Sequence, residues 1–314
     1  MDYLLILIGF AILIVGAHFL VDGASGLAKR FNVSNLVIGL TVVAFGTSTP
    51  ELVVNLVAAS KPNTTDIALT NIIGSNMINV FVILGLSALV YPIKSQLSSR
   101  RFDIPMSLIA PLLVLLLAWG MDDTVSQTDG MVLLIFFLWF MYVMIRKSIK
   151  HPEELVAGKI KPMKLWLAII MVLGGLGALI AGADLIVPSA VRIAEVWGVS
   201  QSVIGLTIVA LGTSLPELAT SVVAAFKKNS DIALGNVIGS NIFNIFLVLG
   251  ISSIVRPLPG YNGMMIDLLI VALASILILI FVNSNKKHQI KRWHGGLLLL
   301  IYAVYLVWMI SKPV

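Results

Sequence analysis

The chain has 314 residues, 59% hydrophobic and 11% charged, with a mean hydropathy of +1.03. Soluble globular domains carry roughly 45–50% apolar residues, so a soluble fold is excluded. The absence of cysteine excludes a disulfide framework and a thiolate metal site, and the net charge of +6 has to be read by its position along the chain before any nucleic-acid partner is inferred.

A helical span needs about 20 apolar residues. Ten runs qualify, near 3–22, 34–60, 66–90, 103–119, 130–146, 165–187, 200–226, 232–254, 264–282 and 293–311. They are long and continuous, unlike the short alternating segments of a β-barrel. The fold class expected is an all-α integral membrane protein with ten transmembrane helices. The first run follows Asp2 and precedes its positive charges, the reverse of a signal peptide, and is expected to be retained. Ten spans put both termini and the 2–3, 4–5, 6–7 and 8–9 loops on one side, with four Lys/Arg (Lys61, Arg192, Arg256, Lys312). The opposite loops hold the other seventeen. The positive-inside rule then predicts extracellular termini in a plasma-membrane protein, and the charge excess is an orientation signal that calls for no nucleic acid. Trp119, Trp139, Trp166, Trp197, Trp293 and Trp308 mostly fall near span ends, as interfacial anchors do.

The second run carries Ile38 to Ser48, IGLTVVAFGTS, followed by Pro50 and Glu51. The seventh repeats it from Ile204 to Ser214 as IGLTIVALGTS, followed by Pro216 and Glu217. The third and eighth runs share a second block, DIALTNIIGSNMIN from Asp66 and DIALGNVIGSNIFN from Asp231. The halves are therefore 1–150 and 164–314, joined by a polar linker at 151–163. Five spans each is an odd number, so the halves must enter the membrane from opposite sides, as inverted-topology repeats do. Helices 2, 3, 7 and 8 are expected to be broken.

Proline removes an N–H and crowds the carbonyl four residues back, here Gly46 and Gly212. Two half-helices with unpaired carbonyls are expected at each site, tolerated in hydrocarbon only where they line a cavity or hold a ligand. Thr47, Glu51 and Asn55 share one helical face at i, i+4, i+8, and Thr213, Glu217 and Ser221 repeat it. Asn71, Ser75 and Asn79 make a further polar stripe, as do Asn236, Ser240 and Asn244. Two mid-span carboxylates with neutral oxygens, and no His or Cys, suit hard cations such as Ca²⁺ or Na⁺. Their charge balances one divalent ion, two monovalent ions or two protons. Asn71, Asn236, Asn76 and Asn241 are read as interhelical bonds, Asp66 and Asp231 as helix N-caps, and His18 and Asp184 as solvated groups near span ends.

The duplicated G-T-S-x-P-E and N-x-x-G-S-N-x-x-N blocks resemble the two α-repeats of the cation/Ca²⁺ antiporter superfamily, and within it a prokaryotic sodium/calcium exchanger. The resemblance covers nearly the whole chain. It implies Ca²⁺ held by Thr47, Glu51, Thr213 and Glu217 with backbone carbonyls. Flanking sites fall on Ala44, Ser48 and Ser75 with Ala210, Ser214 and Ser240, and a central pair on Asn79 and Asn244. In some relatives the second of that pair is an aspartate, so this site has one carboxylate fewer. It further implies alternating access, with the Gly-rich first and sixth spans sliding across the other eight. The expected activity is exchange of Ca²⁺ for Na⁺, with H⁺/Ca²⁺ exchange on the same glutamates as the rival. No resident cofactor and no obligatory protein partner are expected; the partners are Ca²⁺, Na⁺ or H⁺, and the bilayer. A channel would commonly place its pore at an oligomer axis. A membrane metalloprotease would show H-E-x-x-H, which is absent, as is a phosphate loop for ATP-driven transport.

Overall fold

A computed structural model describes residues 1–60, 65–119, 123–150, 163–197 and 210–311. The described residues are mostly helical: α1 (Asp2–Phe31), α2 (Asn35–Thr47), α3 (Thr49–Ser60), α4 (Ala68–Val90), α5 (Ser99–Ala118), α6 (Gln127–Lys150), α7 (Leu165–Val196), α8 (Ala210–Thr213), α9 (Leu215–Phe226), α10 (Ser230–Val255), α11 (Met264–Asn283) and α12 (Arg292–Ser311). Eight of these are long and apolar enough to cross a membrane, and α2 with α3 makes a ninth, bent by 45°. The α9 helix, 12 residues long, is apolar but shorter than a full span. The expected start of the seventh span, including 204–209, and the linker at 151–162 lie outside the described residues.

The first helix starts with Asp2, has Lys29 and Arg30 in its last turn, and stops at Asn32 in the left-handed conformation (φ 57°). Those charges complement the helix dipole, and Asn tolerates the left-handed stop. Helices α1 and α7, of 30 and 32 residues, lie antiparallel along a seam of small residues. Gly9 meets Gly182, Gly16 meets Gly175, and Gly23 meets Ala168. Each set repeats every seven residues, the period that keeps two supercoiled helices in register. A Cβ on Gly16 would lie 2.9 Å from the Gly175 carbonyl oxygen, and one on Gly175 only 2.7 Å from the Leu20 nitrogen. In lipid, where apolar contact alone drives little association, backbone approach of this kind holds a helix pair together.

The interior belongs to α4 and α10. Their most apolar windows are 78% and 83% buried, against 33% and 28% for α1 and α7. Another small-residue crossing seats α10 on α2. A Cβ on Gly235 would come within 3.0 Å of the Leu40 nitrogen, and one on Gly239 within 2.8 Å of the Leu40 carbonyl oxygen. Two short backbone contacts join loops: a two-residue antiparallel ladder between β1 (Ile93–Lys94) and β2 (Gln289–Ile290), and a bridge between Val125 and Leu258.

The break in the second run is where proline puts it. Ser48 leaves helical geometry (φ −85°, ψ 6°), and α3 begins with Thr49 and Pro50. Ser214 has the matching conformation (φ −89°, ψ 5°), followed by Leu215 and Pro216. Proline is tolerated in a first turn, where its missing N–H has no intrahelical acceptor. The breaks are narrower than expected. Ser48 N–H still donates to Ala44 O (2.9 Å), and Leu52 N–H to Ser48 O (3.1 Å).

The third and eighth helices correct the expectation of breaks. Both run continuously, passing from α to π pairing at Ile78–Leu84 and Phe243–Leu249 and back. No proline lies in either one, so the ladder widens rather than ending. The N-cap of α10 is also Asn229, whose side chain accepts from Ile232 N–H. Asp231 sits inside the first turn and accepts from Gln96 Nε2 at 2.9 Å. The Asp66 side chain lies outside the described residues.

Gly175→Ala should lower the thermal unfolding midpoint in detergent, at a cost of about 1–3 kcal/mol for overpacking. Gly174→Ala, next to it but with no atom within 4 Å of the added Cβ, should leave the midpoint unchanged or raise it slightly through helix propensity. Equal effects of the two would remove the seam.

Candidate ion-binding site

The breaks at Ser48 and Ser214 change what the following glutamates experience. Glu51 and Glu217 lie in the first turns of α3 and α9, where the positive end of a helix dipole favours a carboxylate. Both are 0% exposed, and the two carboxyls are close enough to interact electrostatically. Ser48 Oγ donates to Glu217 Oε1 across the halves (3.0 Å). Ser214 faces Glu51 in the corresponding place, without closing a bond of regular geometry. Both Glu51 oxygens and Glu217 Oε2 are buried with no hydrogen-bond donor. Among the described residues the ion pairs are Arg192–Asp2 and Lys227–Asp22, both involving other residues.

Neutral oxygens surround the pair. Thr47 Oγ1 donates to Asn236 Oδ1 (3.1 Å) and to Ala44 O (3.3 Å). Asn236 is held in turn, its Nδ2 donating to Ser221 Oγ (2.9 Å) and Glu217 O (3.3 Å). The mirror contact runs from Thr213 Oγ1 to Asn71 Oδ1 (3.4 Å). Ser75, Ser240 and Ser214 are buried with hydroxyls that lack partners, and so are Asn79 Oδ1 and Asn244 Oδ1. Glu51, Glu217, Thr47, Ser48, Ser214, Ser75, Ser240, Asn79 and Asn244 are therefore all interior, with Thr213 partly buried. Ala44 is buried, and its carbonyl already accepts from Ser48 N–H and Thr47 Oγ1. Ala210 opens α8.

Sequence reasoning assigned Asn71 and Asn236 to interhelical bonds. Those bonds end on the two site threonines, a role signalled by the shared stripe spacing but not readable from it. His18 and Asp184 are exposed, and His18 bonds Ile14 O within its own helix.

Buried charges persist only when paired or coordinated. Here three carboxylate oxygens and several amide and hydroxyl oxygens are enclosed without donors. Among the described residues no cluster of three His, Cys, Asp or Glu occurs. An oxygen-only donor set of this kind suits a hard cation.

An all-helical membrane protein with a polar cluster at interrupted helices has the architecture of a secondary transporter. The chain belongs to the sodium/calcium exchanger family, whose profile, described as sodium/calcium exchanger protein, matches residues 1–146 and 167–311. It is 33% identical over 350 residues to the sodium/calcium exchanger MaX1 of Methanosarcina acetivorans, covering 98% of this chain and 97% of that protein. It is 36% identical over 299 residues to the uncharacterized membrane protein MJ0091 of Methanocaldococcus jannaschii, covering 95% and 94%. A structure of the sodium-calcium exchanger NCX_Mj soaked with Na⁺ and Ca²⁺ superposes with a TM-score of 0.82 at 34% identity, covering 100% of this chain and 99% of that one. The protein is a transporter and not an enzyme.

Asn236→Leu removes the bonds to Thr47, Ser221 and Glu217 O in a fully buried place and should destabilise the protein by about 2–4 kcal/mol, since each unpaired polar group costs about 1–3 kcal/mol. Asn71→Leu removes the long bond from Thr213 Oγ1 (3.4 Å) and should cost clearly less. Thermal unfolding of the two variants in detergent decides this; equal losses would mean that Asn236 holds nothing extra.

Proposed function

We propose that the protein is a secondary active antiporter that exchanges Ca²⁺ for Na⁺ across the membrane by alternating access. The observation that carries this is the fully buried, mutually interacting Glu51–Glu217 pair with three unpartnered oxygens. Two carboxylates balance one divalent ion or two monovalent ones, and the two loads compete for the same charge. That competition is what makes an exchanger of a binding site. Ca²⁺ is held by Thr47, Glu51, Thr213 and Glu217. Ala44, Ser48, Ser75, Ala210, Ser214 and Ser240 serve flanking ions, with Asn79 and Asn244 between.

The architecture that goes with this reading is ten spans in two inverted five-helix repeats, 1–150 and 164–314, joined by a cytoplasmic linker at 151–163. Both termini are extracellular in a plasma-membrane protein. Contacts recurring at a near-constant offset support it: Ile93 with Ile290 against Val125 with Leu258, and Gly85 with Gly295 against Gly250 with Gly130. The rival reading loads protons on the same glutamates. The unpartnered hydroxyls and amide oxygens beyond the carboxylates favour Na⁺, because a proton needs no such cage. The relatives named as sodium/calcium exchangers favour it as well.

Purified protein reconstituted in vesicles should take up Ca²⁺ under an imposed Na⁺ gradient at fixed pH. Uptake driven only by a pH gradient in Na⁺-free buffer would hand the function to the proton reading. Glu51→Gln or Glu217→Gln should reduce uptake to background while the protein stays folded; normal transport by either variant removes that residue from the site. Asn244→Asp should alter the dependence on Na⁺ and pH more than the selection of Ca²⁺. An unchanged counter-ion response argues against a role for this position.

A further inference from the structure

Each asparagine amide can present either an oxygen or an NH₂, and only the oxygen binds a cation. We infer that Asn76 and Asn241 are positioning residues, which lock the amides of Asn79 and Asn244 with their oxygens toward the ion site. The inference rests on the ion-exchange reading above and extends it to two residues with no place among the ligands.

Four hydrogen bonds between α4 and α10 fix these amides. Asn241 Nδ2 donates to the backbone carbonyl of Asn76 (3.3 Å), and Asn79 Nδ2 donates to Asn241 Oδ1 (3.0 Å). In mirror image, Asn76 Nδ2 donates to the backbone carbonyl of Asn241 (3.2 Å), and Asn244 Nδ2 donates to Asn76 Oδ1 (3.1 Å). A backbone carbonyl only accepts, so the group of Asn241 facing it has to be NH₂. The other end of Asn241 is then an oxygen, which also only accepts. Asn79 must therefore meet it with NH₂, leaving Asn79 Oδ1 turned away. The same chain of constraint fixes Asn76 and then Asn244. Oδ1 of Asn79 and of Asn244 are the two ends of the network, and both are buried without a partner.

The orientation usually ambiguous for an amide is here anchored on two backbone groups that cannot flip. Turning Asn244 alone would set its oxygen against the oxygen of Asn76. All four side chains are at most 1% exposed, so water does not relieve that clash. Asn76 and Asn241 lie just ahead of the π-helical stretches that contain Asn79 and Asn244, three residues along. Each helix therefore offers both an anchoring carbonyl and an oriented amide. Asn236 does the same for a hydroxyl: its Nδ2 is pinned on Glu217 O, so its Oδ1 takes the Thr47 proton.

The test is a double-mutant cycle read by ion-dependent thermal stabilisation of full-length protein in detergent, titrated separately with Na⁺ and Ca²⁺. Asn76→Leu should raise the concentration needed for stabilisation by about tenfold, the value of one good hydrogen bond to a charged group. In the N244D background both side-chain oxygens accept, orientation no longer matters, and N76L should cause no further loss. Equal losses in both backgrounds would reduce Asn76 to a packing residue and overturn the inference. If N76L does not fold, the mirror cycle of N241L with N79D applies the same criterion.

Hydrogen exchange of the side-chain NH₂ groups in ¹⁵N-asparagine-labelled wild-type protein gives a readout independent of any variant. Protection of Asn79 and Asn244 that persists on adding Ca²⁺ supports the lock, and rapid exchange at either refutes it. Wild-type protein stabilised by neither ion would refute the exchange reading instead, with the exchange data still deciding the orientation.

Discussion

Two carboxylates enclosed in one dehydrated site are the constraint on which the rest of the protein depends. Among the described residues Glu51 and Glu217 are buried without a basic partner, and an unpaired buried charge is among the costliest things a fold can contain. The surrounding structure lowers that cost without abolishing it. The breaks before Pro50 and Pro216 set each glutamate at a helix N-terminus, and Ser48 supplies one hydrogen bond to Glu217. What remains unsatisfied is oxygen, the charge that the proposed cation load would balance. A site completed by a basic side chain would be stable and inert. One left short of positive charge has to take it from solution.

The scaffold that maintains this shortage is built from small residues. Gly235 and Gly239 let α10 lie against α2 at backbone distance, which brings the polar stripe of α10 to the break at Ser48. The bonds from Thr47 to Asn236 and from Ser48 to Glu217 both cross between the two halves of the chain. Folding of each half is therefore tied to the presence of the other. The α1–α7 pair, joined by its own glycine seam, packs against this interior: Lys227 reaches Asp22 and His18 O, Asn229 reaches Ser25, and Gly46 and Gly212 lie against Leu176 and Val187.

What could be read from the sequence follows from how local the cause is. Proline acts within four residues through a missing N–H, so the breaks at Ser48 and Ser214 were legible, and so were the carboxylates behind them. The paths of α4 and α10 were not. Their asparagines and serines suggest disruption, but polar side chains can bond sideways and leave the backbone ladder intact, and here the ladder only widens to π pairing. The α10 cap went to Asn229 instead of Asp231 because both residues are good caps two positions apart, and only the chain's path into the helix separates them. The seven-residue spacing of Gly9, Gly16 and Gly23 announces a close contact without naming α7 as the partner. Amide orientation lay wholly beyond the sequence: Asn76 and Asn79 are the same residue type, and which way each amide turns follows from hydrogen bonds that end on carbonyls of another helix.

The two halves carry nearly the same motif but do not make the same bonds, and one residue difference accounts for part of this. Asn236 spends its Nδ2 on Ser221 Oγ and Glu217 O. The equivalent acceptors in the first half would be Asn55 and Glu51 O. Asn55 has an NH₂ of its own where Ser221 has only a hydroxyl, and it takes Glu51 O at 2.7 Å. Asn71 Nδ2 is then left buried without an acceptor, as is Asn55 Oδ1. Thr213 meets Asn71 at 3.4 Å, while Thr47 meets Asn236 at 3.1 Å. Among the described residues the amide of Asn236 is thus more fully bonded than that of Asn71, and both Glu51 oxygens lack a donor where Glu217 Oε1 has one. The Glu51 carboxylate therefore holds fewer hydrogen bonds than that of Glu217, and the pair is unequal despite its symmetric sequence.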